Sequence, residues 1–216
     1  MAGTTILTMA HYFSQYREEL TNKNRELEQI AYQDSLTGIA NRGGLILRLD
    51  QWIADPETKQ MTGVFLDLDD FKLINDLYGH FAGDAALCRI AAYLRVSFPN
   101  ALIGRTGGDE FCVILRNQSP GLSAKQIMSA LKQKIEFTSA GEIHTFTVSA
   151  GYAHYPSQAS NREDLMRVMD NALYEAKLHG KNTTIGYHPE ISTARRDRLG
   201  FNVEKMASGM LGAFLI

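Results

Sequence analysis

Cysteine is scarce in this 216-residue chain: there are two, Cys88 and Cys112. Two cysteines cannot staple a disulfide scaffold and lack metal-finger spacing. The expectation is a pair of buried thiols in a reducing compartment. An excess of one charge is missing too. Lys plus Arg total 22 against 24 Asp plus Glu, a formal net charge of -2. That excludes nucleic-acid binding by overall basicity and leaves room only for a local basic pocket. No run approaches the ~18 apolar residues of a membrane helix, so no membrane segment is expected. The opening MAGTTILTMAHYF has no positively charged n-region, which argues against a secretory signal. There is no internal repeat and no low-complexity stretch. What remains is 44% apolar and 21% charged, the make-up of an ordinary folded domain with appendages.

The first thirty residues carry a seven-residue pattern. Ile6, Phe13, Leu20 and Leu27 share one register, and Met9, Tyr16, Lys23 and Ile30 share the other; seven of these eight are apolar. Steps alternating between three and four make a coiled-coil seam. The alternative is a single helix packed on its own domain. A two-chain coiled coil is favoured, because no second helical stretch lies nearby to receive so narrow a stripe.

A turn-rich segment, Asp34–Arg42, precedes a helix expected from about Asn41 to Ala54. Thr62–Asp69 is a β-rich run fit for one buried strand. After Gly79 and Gly83 a helix is expected with Leu87, Ile90, Ala91, Leu94 and Phe98 on one face. Ala101–Thr106 and Phe111–Leu115 read as two strands joined by a Gly107-Gly108 hairpin, in which glycine would supply positive φ. Ser123 with Gln126 forms a capping-box opening to a helix carrying Ile127, Leu131 and Ile135. His144–Tyr152 reads as one alternating strand. Asn161 with Asp164 caps a helix whose inner face is Leu165, Val168, Met169, Ala172, Leu173 and Ala176, ended by Gly180. Thr183–Tyr187 reads as an edge strand. The central order, β-α-β-β-α-β, is α+β and ferredoxin-like. In that topology the first strand lies antiparallel to the third, so Asp67 approaches Asp109 across forty-two positions.

Asp67, Asp69, Asp109 and Glu110 then bring up to four carboxylates to one sheet edge. Crowded carboxylates repel and raise one another's pKa, and a hard divalent cation relieves this. Mg²⁺ takes one or two protein carboxylates, with waters and substrate phosphates filling its shell. Separately, either acidic pair would be a solvated strand end or turn; their convergence favours a metal–triphosphate site. Backbone N–H groups around Phe71, with Lys72, are placed for phosphates at a helix start. Lys177 and Lys181 are either a second phosphate clamp or a helix C-terminus favouring cations. Asn75 and Asp84 flank the Gly79–Gly83 connection. Asp84, an acceptor only, suits guanine, which offers N1–H and an amino group; otherwise it caps the helix beginning there.

These residues, taken together, resemble the GGDEF family of diguanylate cyclases. The resemblance spans roughly 34–187 and is carried by Arg105 with Gly107–Phe111 (GGDEF), Asp67–Lys72 (DLDDFK), Asn75-Asp76, Gly79-His80, Gly83-Asp84, Asp34–Gly38 (DSLTG), Asn41-Arg42 and Ala172–Lys177 (ALYEAK). It implies a fold related to nucleotidyl cyclases and polymerase palms, and condensation of two GTP into cyclic di-GMP with release of two pyrophosphates. It further implies that Asp67, the Leu68 carbonyl and Asp109 hold Mg²⁺ (or Mn²⁺). Asp109 or the metal beside it would help deprotonate the ribose 3′-hydroxyl, and Glu110 would be a further catalytic acid. Asn75 and Asp84 would read guanine, while Phe71 (backbone), Lys72, Lys177 and Lys181 would hold phosphates. Gly107 and Gly108 would let the backbone approach the nucleotide.

Two positions depart from the family pattern. Lys181 stands where arginine is usual, keeping the charge but losing the bidentate fork. Phe98–Ala101 stands where product-inhibited members carry Arg-x-x-Asp, so no inhibitory site is expected. One such domain binds one GTP, so ring closure needs a homodimer with opposed sites, and the N-terminal helix (1–33) raises the effective concentration of the second domain. The absence of a sensor suggests a fragment of a longer cytoplasmic protein. Residues 188–216, with Arg195–Arg198 and Gly209–Ile216, are similar to the linker and opening strand of an EAL phosphodiesterase domain, or form a helix packing back on the domain. The alternative to a cyclase is a weakly active GTP-binding module regulating an adjacent EAL domain.

Overall fold

The computed structural model describes residues 2–191. The chain opens with a long helix, α1 (Ala2–Tyr32), followed by α2 (Arg42–Ala54). A five-stranded sheet follows, with β1 (Met61–Leu68) at its centre. β2 (Leu102–Gly107) and β3 (Glu110–Arg116) lie on one side of it; β6 (Val148–Tyr155) and β7 (Thr184–Gly186) lie on the other. β1 pairs antiparallel with both β3 and β6, and β7 adds in parallel to β6. The order β2-β3-β1-β6 is the ferredoxin-like order that the sequence implies.

Side chains alternate along a strand, and here both faces are covered. Val64, Leu66 and Leu68 of β1 join Phe111, Val113 and Leu115 of β3 in a core with α4 (His80–Ser97) and α5 (Pro120–Leu131). Met61, Cys112 and Ile114 face the opposite way, toward α2 and α6 (Arg162–Leu178). Burial on both sides explains why β1 is a near-continuous apolar run. α6 is capped as expected: the Asn161 side chain accepts from the Asp164 N–H, and Gly180 follows at φ 98°. α6 packs so close to β6 that a Cβ on Gly151 would lie 2.0 Å from the backbone nitrogen of Leu173.

Several expectations are corrected. α3 (Phe71–Tyr78) and α4 are separated by Gly79 alone, and Gly83 lies buried inside α4 rather than in the connection. Asp84 is therefore the fifth residue of α4 and does not cap it. α5 begins at Pro120 with Ser119 as its N-cap residue, so Ser123 sits inside the helix; its missing N–H makes proline a starter at that position. The segment read as one strand from His144 is two. β4 (Ile135–Ser139) and β5 (Glu142–Phe146) form a separate hairpin, and β6 starts afresh at Val148. Cys112 is buried, but Cys88 is exposed on α4, where its thiol donates to the Leu36 carbonyl. The β2–β3 hairpin forms, yet neither Gly107 nor Gly108 adopts positive φ. The C-terminal segment 192–216 lies outside the described residues.

The close approach of α6 makes one position decisive. Gly151→Ala should destabilise the domain by about 1–3 kcal/mol through overpacking, seen as a lower urea midpoint with an unchanged slope; a midpoint equal to wild type would show that α6 can yield.

Candidate active site

β1 ends in Asp67-Leu68, and the register places Asp67 opposite Glu110 on β3 and Ser149 on β6. The Leu68 N–H donates to the Asp109 carbonyl at 3.3 Å. Thus the end of the central strand and the β2–β3 turn share one rim. Asp67 is 7% exposed. Burial pushes its carboxyl above the ordinary value of 3.8; the Lys177 ammonium, 2.7 Å from Oδ2, pulls it back, and the charges of Asp109 and Glu110 add to the rise. Three acids thus stand within electrostatic reach of one another, one of them buried against its own ionisation, and the Lys177 ammonium is the cation that meets them.

Asp69 stands at this rim with hydrogen-bond partners of its own. Its carboxylate accepts from the hydroxyls of Thr147 and Ser149, each at 2.6 Å, and from the Asn182 N–H at 2.9 Å. Ser149 lies directly opposite Asp67 in the register, so Asp69 ties this same rim to the loop after α6. Among the described residues no three His, Cys, Asp or Glu side chains form a closed metal cage. Two carboxylates and a carbonyl make the donor set that Mg²⁺ accepts when substrate oxygens and water complete its shell.

The cations converge on the same rim. Lys177, in the last turn of α6, meets Asp67, and the Lys181 ammonium lies 2.6 Å from Asp70 Oδ1. Asp70 precedes α3 at φ 56° and makes no side-chain cap. Its carbonyl takes the N–H groups of Leu73 and Ile74, so those of Phe71 and Lys72 come before the first bond of the helix. Lys72 is exposed. Farther along α3, half-buried Asn75 faces α4, which carries exposed Asp84. In the hairpin, a Cβ on Gly108 would meet nothing within 4 Å, so this backbone stands open. Phe98 is fully buried at the end of α4.

One part of the site was visible in the sequence only as motif letters. The Arg105 guanidinium donates through Nε and a terminal nitrogen to the Gly108 carbonyl (2.9 and 2.6 Å), and through the other terminal nitrogen to Asp34 at 3.2 Å. Asp34 also accepts from the Thr37 N–H and hydroxyl. Partial burial opposes its ionisation, but the Thr37 bonds and the Arg105 charge outweigh it, and the carboxyl sits below the ordinary range. Arg105 therefore ties the turn beside Asp109 to the segment that leaves α1. Asn41 completes the tie: its amide donates to the carbonyls of Ala31 and Gln33, while its Oδ1 accepts the Gly44 N–H at the start of α2.

An acid-rimmed sheet end, flanked by lysines and a helix start, lies on a palm-type fold of the α+β class. The comparisons narrow this. The model of the family described as "Diguanylate cyclase, GGDEF domain" matches residues 31–183, and the chain belongs to that family. It is 34% identical over 185 residues to the bifunctional diguanylate cyclase/cyclic di-GMP phosphodiesterase MucR of Pseudomonas aeruginosa, covering 83% of this chain and 27% of MucR. It is 32% identical over 185 residues to diguanylate cyclase DgcP of Escherichia coli, covering 81% of this chain and 52% of DgcP. The chain thus spans about a quarter to a half of these relatives. The coiled coil and GGDEF domain of DgcB from Caulobacter crescentus, solved with c-di-GMP, superimposes with a TM-score of 0.72 at 26% identity, covering 84% of this chain and 98% of that one. The GGDEF domain of TpbB (YfiN) from Pseudomonas aeruginosa gives 0.69 at 31% identity, covering 76% and 99%.

Two outcomes follow from the charges. Asp34→Asn should cost about 1 kcal/mol near neutral pH, read by urea unfolding. A lowered carboxyl contributes stability above 3.8 that is lost as pH falls through its folded value, so the cost should vanish in acid; a cost independent of pH would break the assignment. Asp67 has the opposite sign. Its raised carboxyl weakens the fold as pH rises above 3.8. In metal-free buffer Asp67→Asn should melt no lower than wild type near neutral pH, with its margin shrinking on acidification; a lower melting temperature would mean that the Lys177 pair dominates.

Proposed function

We propose that the domain at residues 34–187 condenses two GTP into cyclic di-GMP with release of two pyrophosphates. The observation that carries this is the buried Asp67 opposed by Glu110 and adjoined by Asp109 at one rim, with lysines beside it. Asp67, Asp109 and the Leu68 carbonyl are the donors for Mg²⁺ (or Mn²⁺), which when bound supplies positive charge to the triphosphate and the departing pyrophosphate. Phe71 and Lys72 N–H groups, with Lys177 and Lys181, bind and orient phosphate oxygens. For this the two lysines exchange their carboxylate partners for the substrate. Asp109 stands by the 3′-hydroxyl to take its proton, and Glu110 adds negative field at the same rim. Asn75 and Asp84 read the guanine edge. The open backbone at Gly108, with Gly107 lying against the Glu110 carboxylate, admits the nucleotide.

Each domain holds one GTP, so the ring closes across two copies with opposed sites. Support comes from α1, where Met9, Phe13, Tyr16, Leu20, Leu27 and Ile30 of the seven-residue seam are all exposed in the single chain. With no inhibitory Arg-x-x-Asp, product feedback through that site is absent. Among the described residues no helix is long and apolar enough to cross a membrane. A second reading, a GTP-binding module that regulates an adjacent EAL domain, draws on the likeness to bifunctional MucR.

Product formation against protein concentration tests chemistry and dimer dependence together. With GTP and Mg²⁺ the rate per chain should rise with concentration and then level off, and Asp109→Ala should abolish synthesis with a near-wild-type melting temperature. GTP binding without product in a dimeric sample would favour the regulatory reading. Retained turnover in the variant would remove Asp109 from the chemistry.

A further inference from the structure

Asn75 stands four residues before Gly79 and Gly83 four residues after it. With Gly79 as the sole link between α3 and α4, both positions face the crevice between the two helices. Gly83 is buried. A Cβ placed on it would lie 2.0 Å from Asn75 Oδ1, 3.0 Å from Asn75 Cγ and 3.2 Å from Phe71 Cζ. The Asn75 carboxamide thus fills the volume that any side chain at position 83 would take.

Gly151 offers a useful contrast. There too an added Cβ meets an atom at 2.0 Å, but that atom is backbone, and the helix itself must move. At Gly83 the first atom met is the polar end of a short side chain, which can turn about χ1 and χ2 while both helices stay in place. A methyl group at 83 therefore displaces the carboxamide before it disturbs the fold.

We infer that Gly83 is a positioning residue for base recognition: by lacking a side chain it holds the Asn75 carboxamide in the crevice next to Asp84. This rests on the proposal that Asn75 and Asp84 read guanine. A carboxamide fixed in one rotamer meets the base without a reorganisation cost, whereas a displaced one bonds to water instead. The loss falls on the base and spares the phosphates, which are held at the other end of α3.

Equilibrium binding in Mg²⁺ separates the two ends. The probes are 3′-deoxy-GTP, which lacks the attacking hydroxyl and cannot cyclise, and tripolyphosphate, which lacks a base. Gly83→Ala should weaken 3′-deoxy-GTP about tenfold, the worth of one well-placed hydrogen bond, and leave tripolyphosphate within about twofold. In an Asn75→Ala background, adding Gly83→Ala should change nothing further, because the group it displaces is gone. Wild-type binding by Gly83→Ala, equal weakening of both probes, or fully additive losses would each overturn the inference. Should Gly83→Ala fail to fold, the double variant decides: a folded protein binding like Asn75→Ala supports it, and an unfolded one overturns it. If the wild type binds 3′-deoxy-GTP no better than tripolyphosphate, the guanine assignment falls and takes the inference with it. Tight, base-dependent binding without cyclic di-GMP synthesis removes the cyclase proposal and leaves the role of Gly83 standing.

Discussion

The antiparallel register of β1 against β3 is the constraint on which the site depends. A slip of one residue would turn Asp67 to the other face of the sheet and send every core side chain of β1 with it. Because both faces of β1 are buried, such a slip is costly, and the same packing that stabilises the sheet fixes where the acidic rim forms. The buried carboxyl of Asp67 is the cost of that placement. It sits above its ordinary ionisation range because burial opposes the charge and two further acids stand near it.

The surroundings offset this in two ways. Lys177 supplies an ammonium directly to Asp67. Asp69, two residues on, uses its buried carboxylate to hold the Asn182 N–H together with two hydroxyls from the β6 side. Around that anchor three residues other than glycine adopt left-handed backbone: Asp70, Lys181 and Asn182. Each such conformation costs roughly 1–2 kcal/mol for an ordinary L-residue and persists only where its neighbours over-determine it. Asp69 is the neighbour that does so, bringing the Lys181 ammonium to the start of α3.

How much of this was legible in the sequence depended on the range of the signal. Strand alternation and the strand–helix order sufficed to place β1 beside β3, and with it Asp67 beside the hairpin. The Asn161 cap and the Gly180 terminator were legible because both are local devices. The β4–β5 hairpin was not, since β4 is short and its first residue, Ile135, continues the apolar spacing of the helix before it. Ser123 with Gln126 imitates a capping box, but Pro120 starts the helix earlier and Gln126 reaches instead to the Ser97 carbonyl. The contact of Arg105 with Asp34 spans 71 positions, and no periodicity reports a side-chain bond of that reach. Nor does a sequence show that the Asp69 carboxylate takes the Asn182 N–H, 113 positions away.

The clamp made by Asn41 and Arg105 gives the long first helix a mechanical meaning. Its last turn is bonded into the domain rather than hinged to it, so the two move as one piece. An α-helix advances about 100° and 1.5 Å per residue. Inserting a single residue upstream of the clamp would swing the acidic rim through more than a quarter-turn relative to anything attached at the far end. Inserting seven would bring it back nearly into phase. The azimuth of the rim is thereby set by a count of residues, and a twist imposed at the distant end arrives as a change in where the rim points.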